Sequence, residues 1–136
     1  MSTTEGKRII LSQKAPKPIG PYSQAISTET MVFASGQAGL DPATAKLVEG
    51  GIEEQTRQVL TNIQNVLEAA GSSLNLVVKT TVFLKDMGDF SKMNIIYGEF
   101  FAKDPPARTT VAAAALPLNA LVEIEATALL RAPLGD

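Results

Sequence analysis

Neither cysteine nor histidine occurs in this chain of 136 residues. Without cysteine no disulfide can form, so nothing in the sequence points to an oxidising compartment. The two absences together exclude zinc sites of the Cys/His type and the Ser-His-Asp and Cys-His nucleophile pairs. Any catalysis must use carboxylates, arginine, lysine, tyrosine, hydroxyls, backbone amides or water. Neither Gly-x-x-x-x-Gly-Lys nor Gly-x-Gly-x-x-Gly is present, which argues against a nucleotide cofactor. No metal and no cofactor are expected. Positive charge is scarce too: 12 Lys and Arg against 14 Asp and Glu give a net charge of −2, with no basic cluster to neutralise phosphates, so nucleic acid is not an expected partner. The longest uncharged run, Thr109 to Val122, is interrupted by Pro117 and Asn119 and is too short to cross a bilayer, so no membrane partner is expected. Met1 to Lys7 contains Glu5 and no apolar core of a signal peptide, which favours a cytoplasmic location.

What is present reads as one compact domain over residues 1–136, long enough to bury a real core. Arg8–Leu11 suits a first strand. Ala15–Pro21 carries three prolines and Gly20, a shaped, non-helical approach loop. Tyr22–Ile26 and Met31–Ser35 are strand-like around the turn-prone Ser27–Thr30, and Gly36-Gln37-Ala38-Gly39 is expected to break the second strand. From Ile52 to Ala70 the apolar residues recur at helical spacing, with Glu53 and Glu54 in the first turn and Gly71 at the C-terminal cap. Leu76–Leu84 is β-branched and strand-like. Asp89 is placed to cap a second helix carrying Phe90, Met93, Ile96, Tyr97, Phe100 and Phe101. Arg108–Leu116 and Val122–Leu130 read as final strands joined by a turn at Pro117–Ala120. The order β-β-β-α-β-α-β-β predicts a two-layer α+β domain with both helices on one face of one sheet. Several strands look apolar on both faces, so the uncovered face is expected to meet another copy of the chain.

One side chain dominates the functional reading. Between Pro105 and Glu123 the only charge is Arg108. A guanidinium buried without a partner costs several kcal/mol, so an anion is required, either a structural carboxylate or a bound ligand. Arg108, Thr110, Ala112 and Ala114 share one strand face; Glu123, Glu125 and Thr127 share another. A plain hairpin would leave Arg108 far from Glu123 in the same chain, so a pairing across an interface is as open as one within it. The choice lies between a stabilising ion pair and a carboxylate-binding fork with a glutamate nearby to handle a proton or water. Tyr22 follows the rigid loop and is either a core tyrosine or a fixed cleft residue. Ser35-Gly36-Gln37 is either a bulge or a place where glycine lets backbone amides approach a ligand. Asn94 is polar on an apolar helix, where solvation is the simplest account. Tyr97, Phe100 and Phe101 have core spacing.

At these residues the chain resembles the Rid (YjgF-type) reactive intermediate deaminase family, most closely its RidA subgroup. The matching segments are Ala15-Pro16, Ile19-Gly20-Pro21-Tyr22-Ser23-Gln24-Ala25, Ser35-Gly36-Gln37, Val78-Lys79-Thr80-Thr81-Val82-Phe83-Leu84, Pro106-Ala107-Arg108 and Val122-Glu123-Ile124-Glu125-Ala126. The likeness implies a chorismate-mutase-like fold, a homotrimer with three intersubunit clefts, and hydrolysis of 2-enamine/2-imino acids to 2-keto acids and ammonia. It further implies that Arg108 grips the substrate carboxylate, that Glu123 positions or activates water, and that Tyr22, Ser35, Gly36, Gln37, Asn94 and Thr110 line the cleft. Thr110 stands where several members carry cysteine, which bears on thiol reactivity more than on deamination. Relatives also occur in mitochondria. The alternatives are a small-ligand-binding protein that uses the same cleft without turnover and an endoribonuclease or translation inhibitor, for which the chain offers neither a basic groove nor a histidine pair.

Overall fold

In the computed structural model, residues 3–131 are described. The elements are β1 (Thr3–Thr4), β2 (Lys7–Ile10), β3 (Ala25–Ser27), β4 (Met31–Ala38), β5 (Leu40–Asp41), β6 (Lys46–Leu47), α1 (Ile52–Ala69), β7 (Val77–Leu84), α2 (Phe90–Phe100), β8 (Ala107–Ala112) and β9 (Val122–Leu129). Seven strands form one sheet in the order β1-β2-β3-β4-β9-β7-β8, antiparallel throughout except for the parallel pair β7/β8. β5 and β6 make a separate small hairpin. Both helices pack on the same face, giving the expected two-layer α+β domain.

The helical spacing between Ile52 and Ala70 does what it predicts: Val59, Leu60, Ile63, Val66 and Leu67 are all fully buried. Glu54 reaches back to accept the Gly51 N–H at 2.8 Å, and that bond to its charged form lowers the carboxyl pKa. At the other end Gly71 adopts φ 86°, and Arg8 Nη2 donates to the Ala70 carbonyl at 3.0 Å. Asp89 makes no capping bond at the start of α2; Asp86, one turn earlier, accepts from the Gly88 N–H at 2.8 Å.

Polar anchors inside the core set the loops around the future site. Asn62 is fully buried on α1, and its amide donates to the carbonyls of Ala38 (3.3 Å) and Leu40 (3.0 Å), fixing the end of β4. Gln55 Oε1 accepts from the Leu121 N–H at 2.9 Å, fixing the entry to β9. Buried Gln24 donates to the carbonyls of Ser12 (3.2 Å) and Pro16 (2.9 Å) and accepts from the Ser12 N–H (2.6 Å), which clamps the proline-rich loop. Because that clamp holds Tyr22 and Ser23 in the loop, the strand begins at Ala25, not at Tyr22.

Three other expectations are corrected. Gly36-Gln37 does not end its strand: β4 runs on to Ala38 through a register shift between Ala34 and Gln37, a bulge that its backbone still bridges to β9. The last two strands are not a hairpin. The parallel edge strand β8 stops at Ala112, and β9 takes the central slot between β4 and β7. Burial explains the order. β9 places Val122, Ile124, Ala126 and Ala128 in the core, whereas the small, mostly exposed residues of β8 suit an edge. The face away from the helices is also less apolar than expected. Thr81, Glu125 and Thr127 lie on it beside exposed Phe33, Val111 and Leu129. Among the described residues no helix is long and apolar enough to cross a membrane.

The Asn62 anchor yields a stability prediction. Asn62→Leu keeps the branched shape but takes the donor from the buried Leu40 carbonyl and the half-buried Ala38 carbonyl, so denaturant unfolding should show a loss of about 2–3 kcal/mol. A loss below about 0.5 kcal/mol, the size of an ordinary surface change, would contradict that role.

Candidate active site

Arg108 leaves β8 on the helix side, opposite its register partner Thr80, and lies against α2. Its guanidinium carbon sits 4.8 Å from the Tyr97 ring centroid and 5.5 Å from that of Phe90. Nη1 donates to Asn94 Oδ1 at 2.8 Å. Phe90, Asn94 and Tyr97 follow at intervals of four and three, so one stripe of α2 supplies all three contacts. The Tyr97 hydroxyl is bonded at 2.7 Å to the buried Thr80 hydroxyl, which fixes the ring. Burial raises the Tyr97 pKa, only partly opposed by that bond and by the Arg108 charge, so the phenol stays neutral. No carboxylate approaches: among the described residues the one ion pair is Arg57–Glu99, on the surface. Cation–π contact and a neutral amide hold the fork in place without neutralising it. A cavity of about 450 Å³ opens beside it, lined by Asn94, Tyr97, Gly98, Phe101, Pro106 and Arg108.

Glu123 projects from the other face of the sheet, since it alternates with buried Val122 and Ile124 on β9. Register places it across from Ala38 on one side and Phe83 on the other. Its carboxylate lies over the β4 bulge, where a Cβ added at Gly36 would come within 2.5 Å of Oε2, so any side chain there would push the carboxylate from this position. Burial, and then the like charge of Glu125, raise the Glu123 pKa above its ordinary 4.5. Ser35, beside it in the bulge, donates its hydroxyl to the Ser23 carbonyl at 2.6 Å. The Tyr22 hydroxyl accepts from the Ile19 N–H at 3.3 Å, and the ring is half exposed. These residues line a second cavity of about 460 Å³, together with Gln37, Ile19 and Leu118.

The predicted residues therefore separate into two groups on opposite faces. Tyr22, Ser35, Gly36, Gln37 and Glu123 share one cavity; Asn94 and Arg108 share the other. Thr110 lies two residues along β8 from Arg108 and lines neither; its buried Oγ1 has no partner among the described residues. Asn94 is not merely solvated but is the amide that holds Arg108, and Tyr97 is more than packing. The stripe Phe90–Asn94–Tyr97 was the available sequence signal for both. Ile19 and Leu118 were missed as cavity residues because their contribution depends on loop geometry.

This arrangement can bind a carboxylate at one face and move a proton at the other, and the comparisons with known proteins point to the same class. The model of the endoribonuclease L-PSP family matches residues 12–130. A RutC family protein of Pyrococcus horikoshii is 55% identical over 122 residues, covering 90% of this chain and 97% of that one. The 2-iminobutanoate/2-iminopropanoate deaminase of Capra hircus is 49% identical over 122 residues, covering 90% and 89%. A solved structure from Yersinia pestis, described as a protein of unknown function of the conserved Rid family, superposes with a TM-score of 0.87 at 48% identity, covering 90% of this chain and 98% of that one. The chain belongs to the Rid (YjgF-type) family, is RidA-like, and has that family's α+β fold.

The raised Glu123 pKa makes a signed prediction. The native state then binds more protons than the unfolded chain in the window just above 4.5. The site's contribution to stability is thus fullest below 4.5 and is lost as pH rises through the folded pKa. Glu123→Gln should unfold at higher temperature than the parent protein at neutral pH, with the difference shrinking below pH 4.5. A Glu123 titration midpoint at or below 4.5 by carboxyl-carbon NMR would contradict the account.

Proposed function

We propose that the protein hydrolyses reactive 2-enamine/2-imino acids, such as 2-iminobutanoate and 2-iminopropanoate, to 2-keto acids and ammonia. The observation that carries this reading is Arg108, a rigidly held cation with no carboxylate partner among the described residues. Its fork matches a carboxylate in two parallel hydrogen bonds. The name of the Capra hircus relative supports the same chemistry.

The two halves lie on opposite faces, so one chain cannot close on a small acid with both. In the proposed assembly, a homotrimer, the Arg108 edge of one subunit meets the Glu123 cavity of its neighbour, giving three intersubunit clefts. That packing also covers the sheet face that no helix covers.

In that cleft Arg108 binds the carboxylate and sets the C2 carbon towards Glu123. The Glu123 carboxylate takes a proton from water as the water oxygen bonds to C2 of the iminium form of the substrate and the C=N π pair moves to nitrogen, giving a neutral carbinolamine. The protonated Glu123 then gives its proton to that amine, making it an ammonium leaving group. C–N cleavage releases ammonia as the hydroxyl collapses to the ketone and its proton passes to Glu123, from which the ammonia carries it away as ammonium. A raised pKa makes Glu123 a stronger base than an ordinary carboxylate, which suits this exchange. Tyr22 and the Gly36 bulge line the wall, and Thr110 extends the Arg108 edge. No step calls for a metal or cofactor. The substrate hydrolyses unaided, so positioning and one base, on the order of 10²–10⁴-fold, are sufficient. The proposed setting is the cytoplasm, where such imines would be removed before they damage other enzymes.

The test couples a threonine dehydratase as imine source to detection of the keto acid. Arg108→Ala and Arg108→Lys should both lose most of the acceleration, the lysine because it cannot form the planar fork. Glu123→Gln should lose on the order of 10²-fold or more. Full activity in Arg108→Ala would refute the carboxylate grip. Binding of 2-keto acids with no acceleration by the parent protein would favour a ligand-binding role instead.

A further inference from the structure

The turn that brings the chain into β9 carries an outlier. Leu118 adopts φ 59°, ψ 20°, and Asn119 follows it at φ 59°. This left-handed region disfavours any residue with a Cβ, and leucine gains nothing there from a local hydrogen bond as asparagine can. The conformation is imposed from both sides. Lys85 Nζ donates to Asn119 Oδ1 at 2.7 Å, the Ala120 N–H donates to the Pro117 carbonyl at 3.1 Å, and Gln55 holds Leu121 at 2.9 Å. Yet Leu118 is not recruited to the core: it remains 53% exposed and lines the Glu123 cavity. Across that cavity Ile19 is 64% exposed, on the loop clamped by buried Gln24. Two anchored loops thus hold two exposed aliphatic side chains in the lining of the cavity that contains Glu123.

We propose that Leu118 and Ile19 form the subsite for the substrate's side chain and favour 2-imino acids with aliphatic chains over those with anionic ones. This inference rests on the imine-hydrolysing reading above. The C2 carbon of such a substrate has three substituents. The carboxylate is taken by Arg108, and the nitrogen must stay within reach of Glu123, which reprotonates it. The third substituent is left to the rest of the Glu123 cavity, whose lining is aliphatic at Pro16, Ile19, Pro117 and Leu118. Lys17 also lines this cavity and is the one group there that would favour an anionic side chain. The strained backbone at Leu118 is then the means by which a side chain on a tight turn is aimed inwards.

The experiment measures kcat/KM for imines generated in situ by amino-acid oxidases from alanine, leucine and aspartate. In Leu118→Gly, where φ 59° suits glycine, the leucine-to-alanine preference should fall on the order of tenfold. Ile19→Ala should move it in the same direction, and Leu118→Met should keep it within about twofold of the parent value. A thermal midpoint for Leu118→Gly at or above that of the parent protein shows that the fold persists and that strain was relieved. An unchanged preference in both Leu118→Gly and Ile19→Ala overturns the subsite while leaving the deaminase reading intact. A parent preference for the aspartate-derived imine that disappears in Lys17→Ala overturns it as well. A parent protein that hydrolyses none of the three overturns the reading beneath it and the subsite together.

Discussion

A cation gripped by two aromatic faces and one neutral amide is the contact on which the rest of this molecule turns. Arg108 could have met a carboxylate inside its own chain, and it would then have been a structural ion pair of little net consequence. Instead Tyr97, Phe90 and Asn94 fix its direction and leave its charge uncompensated. The supporting layer is itself fixed, since the Tyr97 hydroxyl is tied to Thr80 in the middle of β7. Rigid placement of an unneutralised fork lowers the entropy cost of capturing an acid, which is the chief contribution an enzyme can make to a substrate that is already reactive.

The second constraint comes from sheet geometry. The crossover through α2 lays β8 parallel to β7 at the sheet edge, and β9 enters on the far side of β7. Strand alternation then sends Arg108 to the helix side and Glu123 to the open side. Electrostatics follow from the same layout. Burial, and then the like charge of Glu125 on the same face, raise the Glu123 pKa, so the carboxylate is kept basic. Kept apart within one chain, the cation and the base do not neutralise each other, and in the proposed trimer each would be available to a ligand that bridges two chains.

Much of this could be read from residues alone, and the reasons for success and failure are physical. The helix α1 was plain because an apolar stripe, two acidic residues at its start and a glycine at its end agree. Arg108 stood out because a lone charge in an apolar run demands an account. The order of the last strands was not readable. Two strand-like segments joined by Pro117–Ala120 suggest a hairpin, and only the competition for the central slot, won by the strand with the more buried face, decides otherwise. The bulge at Ser35-Gly36 looked like a strand end because glycine signals both. Gln24, Gln55 and Asn62 gave no sign of their roles, since a buried amide that pins a distant loop has no local pattern. Leu118 was invisible for the opposite reason: its backbone strain is imposed by neighbours far off in sequence.

The central claim is that the cation of one subunit works with the base of another. Subunit complementation tests it most directly. Arg108→Ala and Glu123→Gln proteins are unfolded together, refolded as mixtures and assayed for imine hydrolysis. If the cleft lies between subunits, random mixing of equal amounts should recover about a quarter of the parent activity, because clefts pairing the intact Arg108 of one variant with the intact Glu123 of the other reappear. Mixtures no more active than the separate variants would show that both groups must come from one chain, and the account would fail.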